Sequence, residues 1–247
     1  MIVRMSEESK TDESKSDESN SKETIPEIPV GKVYIQGSIK RSDTEFHTLL
    51  PTLLSLGFDK DTIVCNPLLD KDKIPCDSIF NVYDPFLQRG PIPPFTPNAP
   101  HLPIDEVVKM LNFASSVQNA AALPLPDSTP ILVLDAAIIA RHDFLARLKE
   151  FLESSKTTDW ECVSLAHTPS KVPPEADASY FSSPQIYEQE PMSVVNSGAL
   201  LLRVSFARKL TKTLLPFRDP VDYELIFQTL LHKTKAYYMY PPILEYR

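Results

Sequence analysis

Asp135 closes a run of four apolar residues, Ile131, Leu132, Val133 and Leu134, and Pro130 opens it. A short apolar run between turn signals reads as a strand buried on both faces. In open α/β sheets, ligands settle just beyond the carboxyl ends of such strands. A carboxylate at that place is a ribose, metal or diphosphate contact; the rival reading is a turn cap. Gly37 and Ser38 follow the apolar part of a strand-like stretch, residues 32–39, and are either nucleotide contacts or a plain strand end. Asn196, Ser197 and Gly198 form a turn signal inside residues 193–204 and either face a ligand or simply turn the chain. Asp219 precedes Pro220 as a helix cap, and Asp222 follows in the first turn, where the helix dipole favours a carboxylate. His232 ends the same helix, where a cation complements the dipole. Asp143 reads as the N-cap of another helix, with His142 in an exposed loop beside it.

These residues need elements to hold them. Residues 44–56 carry apolar positions at helical spacing (Phe46, Leu49, Leu50, Leu53, Leu54), with Pro51 inside and Gly57 as a stop. Residues 62–65 and 78–83 read as strands. Residues 84–103 are dense in proline and form a long loop, either a stiff insertion or a lid beside a cleft. Residues 104–123 form an amphipathic helix whose small residues allow close packing on a sheet. A helix over 144–153 turns Phe144, Leu145, Leu148, Phe151 and Leu152 inward, and residues 161–165 form a buried strand after Trp160. Residues 166–191, including His167, are a second long polar loop. Ser205 caps a helix over 206–215, which Pro216 ends; a further helix runs from 220 to about 231. Residues 236–240 are the last strand, with Tyr237, Tyr238 and Tyr240 in core and edge positions. Strands alternating with helices make an α/β pattern.

Composition narrows the function classes. The 247-residue chain carries a net charge of −8 without a basic cluster, which argues against nucleic acid as partner. No apolar stretch approaches the ~20 residues of a membrane span, and no secretory signal follows Met1. A cytoplasmic or otherwise soluble intracellular protein is expected. Cys65, Cys76 and Cys162 form neither a metal-like nor a disulfide-like pattern. With 24 prolines against 5 glycines, fixed extended loops are expected and glycine-rich phosphate cradles are not. Residues 6–24 are wholly Ser, Glu, Asp, Asn, Thr and Lys and cannot bury enough surface to order themselves. They read as a solvated tail, or as a phosphorylated regulatory segment. The expected organisation is a disordered acidic tail and lead-in over 1–30 and one folded domain over 31–247.

Residues 131–144 (ILVLDAAIIARHDF) resemble the segment of glycosyltransferase family 25, the lipopolysaccharide and procollagen galactosyltransferase-like group, that carries an acidic triplet after a hydrophobic strand. Residues 196–202 (NSGALLL), the helix over 206–215, residues 220–225 (PVDYEL) and residues 238–242 (YMYPP) resemble further motifs of that family in the same order. The resemblance covers roughly residues 130–244. It implies a GT-A-like (Rossmann-like) mixed, mainly parallel sheet flanked by helices, here with long Pro-rich loops. It also implies transfer of a hexose from a nucleotide-diphosphate sugar, UDP-sugar foremost, to a hydroxyl of a glycan or protein acceptor. Gly37, Ser38, Asp135, Asn196 and Gly198 would bind the nucleotide sugar. Asp222, with Glu224 nearby, would be the acceptor-side or catalytic carboxylate. A divalent metal, Mn or Mg, would sit at the triplet, with His232 as a late ligand. The chain departs from the pattern where Asp135 is followed by Ala136 and Ala137, which lack the hard oxygen ligands such a metal needs. Three readings follow: an inactivated enzyme, natural or engineered; a metal held otherwise; or a fold kept for binding as a catalytically silent interaction domain.

Overall fold

The computed structural model of the protein describes residues 29–37, 46–66, 69–87, 102–156, 158–166, 185–189 and 195–246. The elements, in chain order, are β1 (Lys32–Gln36), α1 (Phe46–Ser55), β2 (Ile63–Asn66), α2 (Cys76–Phe80), α3 (Ile104–Ala121), β3 (Pro130–Asp135), β4 (Ile138–Ala140) and α4 (Phe144–Ser154). They continue with β5 (Cys162–Ser164), β6 (Gln185–Glu188), β7 (Ala199–Arg203), α5 (Val204–Thr213), α6 (Val221–Leu231), β8 (Ala236–Tyr240) and β9 (Leu244–Tyr246).

Seven strands form one sheet in the order β2-β1-β3-β7-β5-β8-β6. Five of them (β1, β2, β3, β5, β8) point the same way, while β7 and β6 run against them. The fold is therefore a mixed α/β, Rossmann-like sheet with helices on both faces. Residue parity along β3 sorts the two cores. Leu132 and Leu134 face a cluster with Leu49 and Leu53 of α1 and Phe144, Leu148 and Phe151 of α4. Ile131 and Val133 face a cluster with Val107, Met110, Phe113 and Val117 of α3, Phe206 and Leu210 of α5 and Leu225 of α6. All four β3 residues are fully buried, as a strand with apolar layers on both sides must be. Gly57 closes α1 at φ +97°, the left-handed conformation that suits a residue without Cβ.

Several elements differ from the sequence reading. Residues 78–83 are not a strand. Pro75 starts the short helix α2 there, leaving Phe80 exposed, and Tyr83 alone bridges to Phe217. The 166–191 loop contains a strand, β6, which pairs antiparallel with β8. Residues 236–240 are not the last strand, because β9 follows and pairs with β4. Ser205 does not cap α5; its Oγ donates to Glu161 Oε1 at 2.8 Å and Arg203 holds the cap position. Asp219 does not cap α6 either. It is buried and ion-paired to Arg218 at 3.1 Å, and Pro220 takes the cap position. Trp160 is a core residue packed on Phe151. His167, Ser38, the stretch 88–101 and residues 6–24 lie outside the described residues.

Candidate functional site

The chain leaves β1 to one side to form β2 and returns on the other side as β3. The reversal makes the carboxyl ends of β1 and β3 the topological switch point, the customary ligand crevice of such sheets. Gln36 and Asp135 are register partners there. A row of hydrogen bonds crosses the sheet end. Gly37 N–H donates to Asn66 O at 2.9 Å, Ala136 N–H to Gln36 O at 2.8 Å and Asp135 N–H to Gly198 O at 2.7 Å. Ser197 N–H then donates to Asp222 Oδ1 at 3.0 Å. Five segments far apart in sequence thus meet along one row.

Gly37, Asp135, Gly198 and Asp222 are brought together by this arrangement. Asp135 is half-buried, and its Oδ1 accepts from Ala137 N–H at 2.8 Å. Burial pushes its carboxyl above the ordinary carboxylate range, opposed by the Ala137 N–H and by the charge of Lys109. Asn196 shapes the turn itself, its Oδ1 accepting from Gly198 N–H at 2.9 Å while its carbonyl accepts from Ser164 Oγ at 3.1 Å. Ser197 is buried, and its Oγ has no hydrogen-bond partner among the described residues. Asp222 sits in the first turn of α6, where the dipole favours its charge. Glu224 is fully buried. Its carboxylate receives the Arg218 N–H at 3.4 Å and Gln228 Nε2 at 3.3 Å, so it holds the turn before α6.

His232 lies elsewhere. It is the C-cap of α6, ten residues and ~15 Å along the helix axis from Asp222. Its Nε2 is 2.8 Å from Thr213 Oγ1, and burial, with Lys209 nearby, holds its pKa below the usual histidine value. His142 is exposed, and Asp143 occupies the N-cap of α4 without a side-chain cap hydrogen bond. A cavity of about 390 Å³ is lined by Asp159, Glu161, Lys209, Lys233, Thr234, Lys235 and Tyr237. It opens at the amino ends of β5 and β8, the opposite end of the sheet from Asp135.

Sequence reasoning missed the α3 side of the crevice. On one face of the sheet, three strands change from apolar to polar over their last two same-facing positions: Tyr34 then Gln36, Val64 then Asn66, Val133 then Asp135. Over them α3 presents Lys109, Asn112 and Ser116, spaced to share one helix face. Ser116 Oγ accepts from Asn66 Nδ2 at 2.8 Å and from Gln36 Nε2 at 3.2 Å and donates to Asn112 O at 3.0 Å. Asn112 is buried, and its Nδ2 has no hydrogen-bond partner among the described residues. The readable signal was period two in the strands and a polar stripe at i, i+3, i+7 in the helix.

Neither a family model nor a curated protein matches the chain. The divalent metal expected from the resemblance was set against the donors present. Residues 135–137 supply one carboxylate, and its Oδ1 is already engaged by backbone. Ala136 packs in the apolar core with Leu134 and Ile138. Among the described residues no three His, Cys, Asp or Glu side chains are grouped to hold an ion. This donor set does not fit a divalent cation. No helix among the described residues is long and apolar enough to cross a membrane.

Proposed function

We propose that the chain binds a nucleotide-diphosphate sugar, UDP-hexose foremost, at the carboxyl ends of β1 and β3, and transfers the hexose to an acceptor hydroxyl. One observation carries this reading: Gly37, Asp135, Gly198 and Asp222, drawn from four distant segments, share one hydrogen-bonded row at the switch point. Gly37 and Gly198 carry no side chain to bar a ligand from the backbone. Asp135 stands at the end of the central strand, where a ribose hydroxyl or a phosphate would lie. Asp222 is the general base of an inverting transfer. The acceptor O–H gives its proton to the Asp222 carboxylate as its oxygen bonds to the anomeric carbon. The bond from that carbon to the diphosphate oxygen breaks, and the diphosphate leaves with the electron pair.

A second reading, binding without turnover, is supported by Ala136, whose burial in the apolar core makes position 136 a packing position rather than a ligand position. One experiment separates the two. UDP-glucose and UDP-galactose are titrated into the full chain by calorimetry, and UDP release is followed with and without simple sugar acceptors. Binding with acceptor-stimulated release that disappears in Asp222→Asn supports transfer. Binding without release supports the silent domain. No binding in any condition overturns transfer and nucleotide-sugar binding together and leaves a silent domain that binds some other partner.

A further inference from the structure

The sheet end at β1 and β3 holds buried donors that no acceptor among the described residues satisfies. Asn112 is 3% exposed, and its Nδ2 donates to no described residue. Ser197 is 5% exposed, and its Oγ likewise has no partner among the described residues. Leaving a buried donor unsatisfied costs roughly 1–3 kcal/mol, so such groups point to an absent acceptor. Lys109 lies one turn before Asn112 on the same α3 face and is half-buried. Its charge reaches Asp135, which is in register with Gln36, itself tied to Ser116 one turn after Asn112. The two carboxylates near this donor surplus, Asp135 and Asp222, each already accept a backbone N–H. A cation would find too few oxygens here, whereas an anion would find a lysine charge and a buried amide N–H.

We infer that Lys109 and Asn112 of α3 hold the diphosphate of the bound ligand directly, without a divalent cation. The inference rests on the nucleotide-sugar reading for the identity of the ligand but makes a separate claim about how its charge is met. A lysine meets phosphate as a point charge on a flexible stem, so its removal weakens binding of phosphate-bearing ligands without touching recognition of the nucleoside.

The test is calorimetric titration of the full chain with UDP, inorganic pyrophosphate and uridine, in EDTA and again with manganese. The proteins are the parent, Lys109→Ala, Lys109→Arg and Asn112→Asp. UDP and pyrophosphate are expected to bind in EDTA, with affinities that manganese changes less than about threefold. Lys109→Ala is expected to weaken both by about tenfold or more, Lys109→Arg to retain affinity within about threefold, and Asn112→Asp to weaken both by charge repulsion. Uridine binding is expected to be indifferent to all three changes, and the melting temperature of Lys109→Ala to match the parent. UDP binding that requires manganese, or that survives Lys109→Ala unchanged, overturns the inference and leaves the nucleotide-sugar reading standing. Lys109-dependent pyrophosphate binding to which the nucleoside adds nothing does the reverse. Failure of both UDP and pyrophosphate to bind in either buffer overturns the inference.

Discussion

Ala136→Asp would place a carboxylate where the family pattern has one, and the fold should resist it. Ala136 is 2% exposed and belongs to the cluster of Leu132, Leu134, Ile138 and Phe144. Its N–H is committed to Gln36 O, so the backbone holds the side chain in that direction. A carboxyl group there avoids charge by keeping its proton. Against an ordinary value near 3.9, holding the proton costs about 5 kcal/mol at pH 7.5 but only about 2 kcal/mol at pH 5.5, at ~1.4 kcal/mol per pH unit. Overpacking adds about 1–3 kcal/mol at either pH. Partial relaxation toward solvent trims the total, leaving a loss of roughly 4–6 kcal/mol at pH 7.5. For a chain of this size that is a fall in Tm of about 10–20 °C.

Thermal melts of the parent, Ala136→Asp and Ala137→Asp at pH 5.5 and 7.5 check this. The gap between parent and Ala136→Asp should be wide at pH 7.5 and clearly narrower at pH 5.5. Ala137 is half-exposed, so Ala137→Asp should stay within about 1 kcal/mol of the parent while adding a second carboxylate beside Asp135. An Ala136→Asp protein that melts within about 2 °C of the parent at pH 7.5 would refute the reasoning, because position 136 would then be open to water.

Asp135→Asn should raise stability above neutral pH. The folded state binds this proton more readily than the unfolded chain, so the parent loses stability as pH rises through the folded value. The variant should melt above the parent near pH 8 and level with it in acid, read by melts across that range. Glu161 has the opposite sign: burial works against its charge, but Lys209, Thr234 and Ser205 together hold its carboxyl below the ordinary range. Its stabilisation is present above the unfolded value and disappears as pH falls through the folded one, so Glu161→Gln should flatten the acid limb of a stability–pH curve. Asp222→Asn keeps an oxygen for Ser197 N–H and should unfold in urea within about 0.5 kcal/mol of the parent; Asp222→Ala orphans that N–H and should lose about 1–2 kcal/mol. Gly57→Ala should cost about 1–2 kcal/mol in the same titration, since its φ of +97° burdens any Cβ.

The parts of the fold that were legible in the sequence are those whose burial follows a local period. β3 reads directly because all four of its apolar residues are buried between two layers. α3 reads directly because its stripe covers several turns. The short elements did not read. β6 is four residues at a sheet edge, two half-buried side by side and the outer two exposed, and its partner lies far along the chain in β8. β4 and β9 are three residues each and exist only as a pair. Residues 78–83 carry a strand-like apolar pattern, but Pro75 and Asp77 favour a helical turn, and Phe217 offers Tyr83 only one bridge. At the site, Asp135 was legible from the end of its strand. The nearness of Asp222 to it rests on one long-range hydrogen bond from Ser197, which no local pattern encodes. The role of Ala136 was hidden because a single alanine after a strand has no period to show which way it faces. Asp219 misled for another reason: Arg218 captures its carboxylate, so the cap moves one residue on.

The pairing of β4 with β9 has a consequence for the order in which the molecule is made. Residues 138–140 leave the ribosome well before their strand partners at 244–246, which are synthesised about a hundred residues later, and Arg141 waits as long for Glu245. Domains made vectorially settle what they can as they emerge. β1, β2 and β3 are complete once residue 135 is made, whereas β3's other neighbour, β7, and the clasp on the stretch just after Asp135 are made later. The strand ends around Asp135 therefore wait for residue 246 to take their final shape, and a nascent chain stalled before residue 240 would hold the β2-β1-β3 face beside an unclasped β4.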